Sequence, residues 1–186
     1  MSAKFRLVVF VSGKGSNLRA IYRAIQMNTL DAKIVAVFSD RNCPGLEWAE
    51  SAQIPVRSIR NSDPELAEKV AVFKPDLIVL AGYMRILKSD FVQAYRNRII
   101  NIHPSLLPAF RGKDAVEQAL TAGVMWTGCT VHFVDEGVDT GEILYQNVVE
   151  IKPDDTAETL HARIQKEEHE LLPKVIQILS QKKAKS

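Results

Sequence analysis

Cysteine is scarce: the 186 residues hold two, Cys43 and Cys129. They lie far apart, with no second Cys or His at metal-ligand spacing, which excludes a disulfide framework and a zinc site and fits a reducing, cytoplasmic setting. Excess charge is missing as well. The 24 basic and 22 acidic side chains leave +2, so no overall field points to nucleic acid or a membrane surface, and an anionic ligand must be held locally. No apolar run approaches membrane-spanning length. The opening "MSAKFRLVVFVSGKGS" loosely mimics a signal peptide, but its apolar run is short and continues into a glycine-rich turn, as expected of a first core strand. Repeats, low-complexity tracts and linkers are absent too. With 46% hydrophobic and 25% charged residues, the chain reads as one globular domain, 1–186.

Strand and helix patterns alternate from the start. Phe5 to Val11 is a continuous β-branched and aromatic run, the signature of a strand buried on both faces, and Leu18 to Ile25 carries apolar residues at helical spacing. Strands are expected at Lys33–Phe38, Val56–Ile59, Asp76–Leu80 and Arg98–Ile102, with helices at Gly45–Ala52, Pro64–Phe73 and Ser89–Tyr95 between them. Ser62 with Glu65 suggests a capping box, and Ser89 a helix cap. Thr127–Val134 and Glu142–Ile151 are strand-like and joined by a stretch too short for a crossover helix, so an antiparallel hairpin is expected. A last helix covers about Thr156 to Leu179; Pro173 is expected to kink or end it, and "SQKKAKS" to fray. The fold class is α/β: a Rossmann-like, mostly parallel twisted sheet flanked by helices, with a hairpin near the C-terminal end and a long C-terminal helix.

Three stretches can carry chemistry. "SGKGSN", Ser12 to Asn17, follows the first strand, where glycines and a helix N-terminus suit an anion such as phosphate; a glycine turn needed only for packing is the alternative. The Walker A spacing is not met, and Leu18 stands where the dinucleotide fingerprint has its third glycine. In "NIHPSLLPAF", Asn101 and His103 are two apart at a strand end, so their side chains project to one side, next to a loop stiffened by Pro104 and Pro108. A lone histidine satisfied in loop or core is the alternative there. His132, between Val131 and Phe133, and the helical His161 and His169 carry less signal. "VDEGVDTG" holds three carboxylates, Asp135, Glu136 and Asp139, off calcium-loop spacing. If Asp139 points at His103 it favours the imidazolium, making a general acid; a polar hairpin turn is the alternative. Gln165 and Glu168 are three apart on one face of the last helix.

"SGKGSN", "AGYMRIL", "NIHPSLLPAFRG" and "TGCTVHFVDEGVDTG", in this order and spacing, resemble the glycinamide ribonucleotide formyltransferase family, folate-dependent enzymes of purine synthesis. The resemblance covers nearly the whole chain. It implies formyl transfer from 10-formyltetrahydrofolate, as co-substrate, to the primary amine of glycinamide ribonucleotide, with no metal. It implies catalysis by Asn101, His103 and Asp139. Gly15, Ser16 and Asn17 match the phosphate loop, and Gln165 and Glu168 the helix residues holding ribose and glycinamide. Met84, Arg85, Ile86 and Leu87 match the folate segment, to which Asn101 and the stretch Asp135, Glu136, Gly137, Val138, Asp139 add. The N-terminal half is then nucleotide-binding and the C-terminal half folate-binding and catalytic, in a monomer or homodimer whose partners are small molecules, not nucleic acid or membrane. The segment between Ile59 and Pro75 is shorter than is usual in the family, where it carries an arginine for the folate glutamate; neither Arg57 nor Arg60 aligns with it.

Three other functions share parts of the pattern. A formyltetrahydrofolate hydrolase uses water as nucleophile but adds an N-terminal regulatory domain, whereas Phe5 begins the sheet directly. Methionyl-tRNA formyltransferase adds a C-terminal domain for which 186 residues leave no room. A non-catalytic nucleotide-binding module would use "SGKGSN" alone.

Overall fold

The computed structural model describes residues 4–60 and 63–184. Seven strands form one sheet in the order β3-β2-β1-β4-β5-β6-β7. Strands β1 (Phe5–Val11), β2 (Ala32–Ser39), β3 (Val56–Ser58), β4 (Leu77–Leu80) and β5 (Ile99–His103) are mutually parallel. β6 (Trp126–Phe133) runs antiparallel to β5, and β7 (Ile143–Glu150) closes the hairpin. Helices α1 (Ser16–Gln26), α2 (Pro44–Ser51), α3 (Leu66–Ala71), α4 (Ser89–Ala94), α5 (Ala115–Thr121) and α6 (Ala157–Ala184) cover the sheet. The expected architecture is therefore the observed one. α5 is an addition for which a local signal exists, since Asp114 takes its N-cap position with Glu117 three residues on, although no side-chain cap bond forms.

Side-chain alternation along the strands builds two cores. Leu7, Val9 and Val11 of β1 face one layer with Leu18 and Ile21 of α1 and Leu160, Ile164 and Leu172 of α6. Val8 and Phe10 face the other, with Val70 of α3 and Phe91 of α4. Phe10 is fully buried at the centre of that second layer, stacked on Phe38 at 5.2 Å between ring centroids and edge-on to Tyr83 and Phe91. In β5 the same alternation puts Ile100 and Ile102 in the α1/α6 layer and Ile99 in the α3/α4 layer. Asn101 and His103 share the parity of Ile99, so they emerge on the face of α3 and α4.

Four expectations need correction. α6 runs through Pro173, which is buried and does not end the helix; packing on the core outweighs the one backbone bond that proline cannot donate. The C-terminal stretch is not frayed up to Ala184, and Lys183 there pairs with Asp76 at the start of β4. Ser89 is the first residue of α4 rather than its cap; Lys88 holds that position, with no side-chain capping hydrogen bond. α3 starts at Leu66, after Asp63 Oδ1 accepts the Glu65 amide at 3.0 Å; Ser62, the other half of the expected capping box, lies outside the described residues. Among the described residues no helix is long and apolar enough to cross a membrane.

Candidate active site

On the α3/α4 face of the sheet, the loops following β5 and β6 bring Phe110 and Asp139 against His103. Asn101 pairs across the strands with His132 and His103 with Thr130, so Asn101, His103 and His132 stand on one face. Asp139 comes back over them with a left-handed backbone, φ 53°, a conformation aspartate tolerates better than most side chains. Its Oδ2 lies 3.3 Å from His103 Nδ1, and its Oδ1 lies 3.5 Å from His132 Nε2 and 3.5 Å from Asn101 Nδ2. Oδ2 also accepts the Gly112 amide at 2.9 Å. Burial works to raise the Asp139 pKa, but the hydrogen bonds of His132 and Gly112 and the charges of both histidines outweigh it, so the carboxyl is held below its usual range.

Both ring nitrogens of each histidine have polar neighbours. His103 Nε2 lies 2.8 Å from the Phe110 carbonyl, which can only accept, so that nitrogen carries hydrogen. Its Nδ1 faces a carboxylate, and only the imidazolium offers a donor to both. His132 Nδ1 likewise meets the Phe133 carbonyl at 2.8 Å, while Asn101 Nδ2 lies 3.2 Å from Nε2.

The loop that brings Phe110 to His103 is anchored by a fully used hydroxyl. Thr130 Oγ1 donates to the Ser105 carbonyl at 2.6 Å and accepts from the Leu107 amide at 3.0 Å and Gln146 Nε2 at 2.9 Å. Gln146 also donates to the Leu107 carbonyl at 2.8 Å. Ser105 and Thr130 are fully buried. Strands β6 and β7 thus hold the "HPSLLPAF" loop through polar groups, beyond the stiffness its prolines supply.

The residues of the expected phosphate loop form a second cluster at the carboxyl end of β1. Gly15, φ 72°, caps α1, and a Cβ there would sit 2.7 Å from the Cα of Gly45, so glycine is required on both counts. α1 begins with neither a side-chain cap nor an acidic residue in its first turn, which leaves its positive end open to an anion. The two helical residues expected with this loop lie against it: Gln165 Nε2 donates to Ser16 Oγ at 3.0 Å, and Asn17 Nδ2 to Glu168 Oε2 at 2.9 Å. Glu168 is 5% exposed, and burial, only partly offset by Asn17, pushes its pKa up to about 7.

The expected folate segment leaves β4 between these clusters, since β4 lies between β1 and β5. Met84 and Ile86 are exposed, 70% and 68%, as apolar surface open to a ligand, whereas Leu87 is buried in the α3/α4 core. Arg85 Nε donates to Asp40 at 2.9 Å. In the hairpin loop, Asp135 Oδ1 accepts from Thr140 Oγ1 at 2.7 Å and the Gly137 amide at 3.1 Å, so this side chain shapes the loop, while Glu136, Gly137 and Val138 are exposed.

The family model described as "Formyl transferase" matches residues 5–176. The chain belongs to the formyl transferase family. It is 44% identical over 183 residues to the phosphoribosylglycinamide formyltransferase of Bacillus subtilis, covering 94% of each chain. It is 43% identical over 186 residues to the trifunctional purine biosynthetic protein adenosine-3 of Bos taurus, covering 95% of this chain and 18% of that protein, so it spans about a fifth of the trifunctional relative's length. The solved structure of glycinamide ribonucleotide transformylase 1 from Symbiobacterium toebii superposes with a TM-score of 0.93 at 40% identity, covering 97% of this chain and 90% of that one.

Three members of the cluster around Asp139 and His103 are not among the residues singled out by sequence: His132, the Phe110 carbonyl and the Gly112 amide. For His132 a signal was present. In "TVHFV" the polar Thr130 and His132 alternate with Val131 and Phe133, which puts both polar side chains on the face opposite the apolar pair. The two backbone groups have no such signature, because they depend on how the loop after β5 folds back.

Proposed function

We propose that this chain transfers the formyl group of 10-formyltetrahydrofolate to the primary amine of glycinamide ribonucleotide, a step of purine synthesis. The observation that carries the reading is the partly buried Asp139 carboxylate within 3.5 Å of Asn101, His103 and His132, in a chain whose relatives of similar size bear that activity in their names. The phosphate of the ribonucleotide would sit at the start of α1 against Gly15, Ser16 and Asn17, with Gln165 and Glu168 holding the ribose and glycinamide portion. The reduced folate would lie along Met84, Arg85, Ile86 and Leu87, its ring gripped by backbone groups between Asp135 and Asp139.

In the step itself the amine nitrogen bonds to the formyl carbon and the carbonyl electron pair moves to oxygen. His103 and the Asn101 amide donate hydrogen bonds to that oxyanion, a stabilisation worth roughly 3–4 kcal/mol per preorganised donor. With Nδ1 held by Asp139, the Nε2–H of His103 is the donor free to turn from the Phe110 carbonyl to the oxyanion. The carbonyl then re-forms, the bond to the folate N10 breaks, and the proton lost by the amine reaches N10, relayed through water beside Asp139. His132, fixed by the Phe133 carbonyl, keeps the carboxylate aimed.

The test supplies purified protein with 10-formyltetrahydrofolate in the presence and absence of glycinamide ribonucleotide. Folate release only with the amine is the expected result. Release in water alone would replace transfer by hydrolysis.

A further inference from the structure

Asp40 follows directly on β2, and its side chain is 3% exposed although no step above uses it. Its two oxygens are fully engaged. Oδ1 accepts the Ser12 hydroxyl at 2.6 Å, and Ser12 Oγ in turn accepts the Met84 amide at 2.9 Å. Ser12 also donates its own amide to the Gly82 carbonyl at 3.1 Å. Oδ2 accepts Arg85 Nε at 2.9 Å, and Arg41 through Nε at 3.1 Å and Nη2 at 2.7 Å. One carboxylate therefore ties the residue that opens the phosphate loop to two consecutive residues of the folate segment. Two guanidiniums share it, leaving one net positive charge at the carboxyl edge of the sheet, and both are about half exposed. Burial alone would raise the Asp40 pKa, but Arg41, Ser12 and Arg85 hold it well below the usual carboxylate range, so it stays ionised through neutral pH.

Neutralising a strand end requires neither the serine relay nor a second arginine. The arrangement instead fixes the direction of Arg85, whose long side chain would otherwise sample many rotamers, and fixes the spacing of two loops that take different substrates. We propose that Asp40 is a positioning residue for the folate segment: it presents Arg85, with Arg41 beside it, as a paired cation for the carboxylate tail of the reduced folate, and through Ser12 it sets that segment against the phosphate loop. The inference rests on the formyl-transfer reading for the identity of the folate. It also assigns a cation, Arg41, in a chain whose segment after Ile59 is short.

The experiment compares wild type with Asp40→Asn, which keeps an acceptor for Ser12 but removes the charge that holds the arginines. Asp40→Asn is expected to raise KM for 10-formyltetrahydrofolate, and Kd for tetrahydrofolate by fluorescence titration, roughly five- to tenfold, the equivalent of about 1–1.4 kcal/mol. KM for the ribonucleotide should stay within about twofold and the pH profile of kcat should be unchanged, since an ordering effect on one substrate leaves the chemical step alone. In a chain carrying Arg41→Ala and Arg85→Ala, adding Asp40→Asn should change the folate constants by less than about twofold, as expected of residues that act as one unit. Equal shifts in both substrate constants and kcat would reduce Asp40 to a structural residue, and unchanged folate constants, or additivity in the triple variant, would likewise overturn the proposal. If Asp40→Asn does not fold, Arg41→Ala decides: a folate KM equal to wild type overturns the proposal, and a rise confined to the folate supports it. A wild type that binds tetrahydrofolate but releases it without amine defeats formyl transfer, while the Kd comparison still judges Asp40. A wild type that binds no folate defeats both.

Discussion

Glu168 gives a stability prediction whose sign and size follow from its surroundings. Its carboxyl is buried between α6 and the start of α1, with the Asn17 amide as its hydrogen-bond donor, and its pKa is pushed up from 4.5 to about 7. A folded-state pKa above the unfolded one means that the folded chain binds the extra proton between these values. Stability is then greatest below pH 4.5 and falls as pH rises through about 7. The difference of about 2.5 units at 1.36 kcal/mol each corresponds to about 3 kcal/mol lost by pH 8, an upper bound because part of the burial relaxes on ionisation. Glu168→Gln keeps the shape and an acceptor for Asn17 Nδ2, and it supplies a donor near Asn17 Oδ1, which is buried without a partner. Urea denaturation of both chains at pH 5 and pH 8 reads the effect. The variant should match wild type within about 1 kcal/mol at pH 5 and exceed it by about 2–3 kcal/mol at pH 8. A difference that is the same at both pH values would refute the reasoning, and so would a variant weaker at pH 8.

Two further outcomes follow from packing and polar anchoring. Phe10→Ala should lose about 3–5 kcal/mol of unfolding free energy in denaturant titration, because Phe38, Tyr83 and Phe91 close around its ring and cannot collapse far into the space left. Thr130→Val strands the buried Leu107 amide and Ser105 carbonyl; it should cost about 1–3 kcal/mol in the same assay, and it should lower kcat because the loop carrying Phe110 and Gly112 loses its anchor. A variant with wild-type stability and turnover would remove the hydroxyl from the account of the loop.

The parts of the fold legible in the sequence were those with local cause. Phe5–Val11 is a strand over the very residues its apolar run marks, and the parallel core follows from repeating that pattern. Asn101 and His103 on one face follow from the two-residue period of a strand. Less legible features depended on contacts between distant segments. Pro173 reads as a breaker by backbone chemistry alone, but Leu171, Leu172, Val175 and Ile176 bury the helix on both sides of it. His132 enters the site through the β5–β6 register, which pairing decides and spacing does not. Asp40 carries no signal of its own, because a single acid after a strand is ordinary until Ser12, Arg41 and Arg85 converge on it. Leu87 belonged to the expected folate motif, and the structure divides that motif between exposed Met84 and Ile86 and a buried anchor.

The central claim is that an imidazolium, an amide and a carboxylate from β5 and the loop after β6 act together on one formyl carbon. Single-turnover formyl transfer at saturating substrates tests it in wild type, His103→Ala and Asp139→Asn. The rate should fall by roughly 10²–10³ in each variant, while Kd for the ribonucleotide stays within about threefold because the residues proposed to hold it lie around α1 and α6. Transfer at near the wild-type rate in either folded variant would contradict the account.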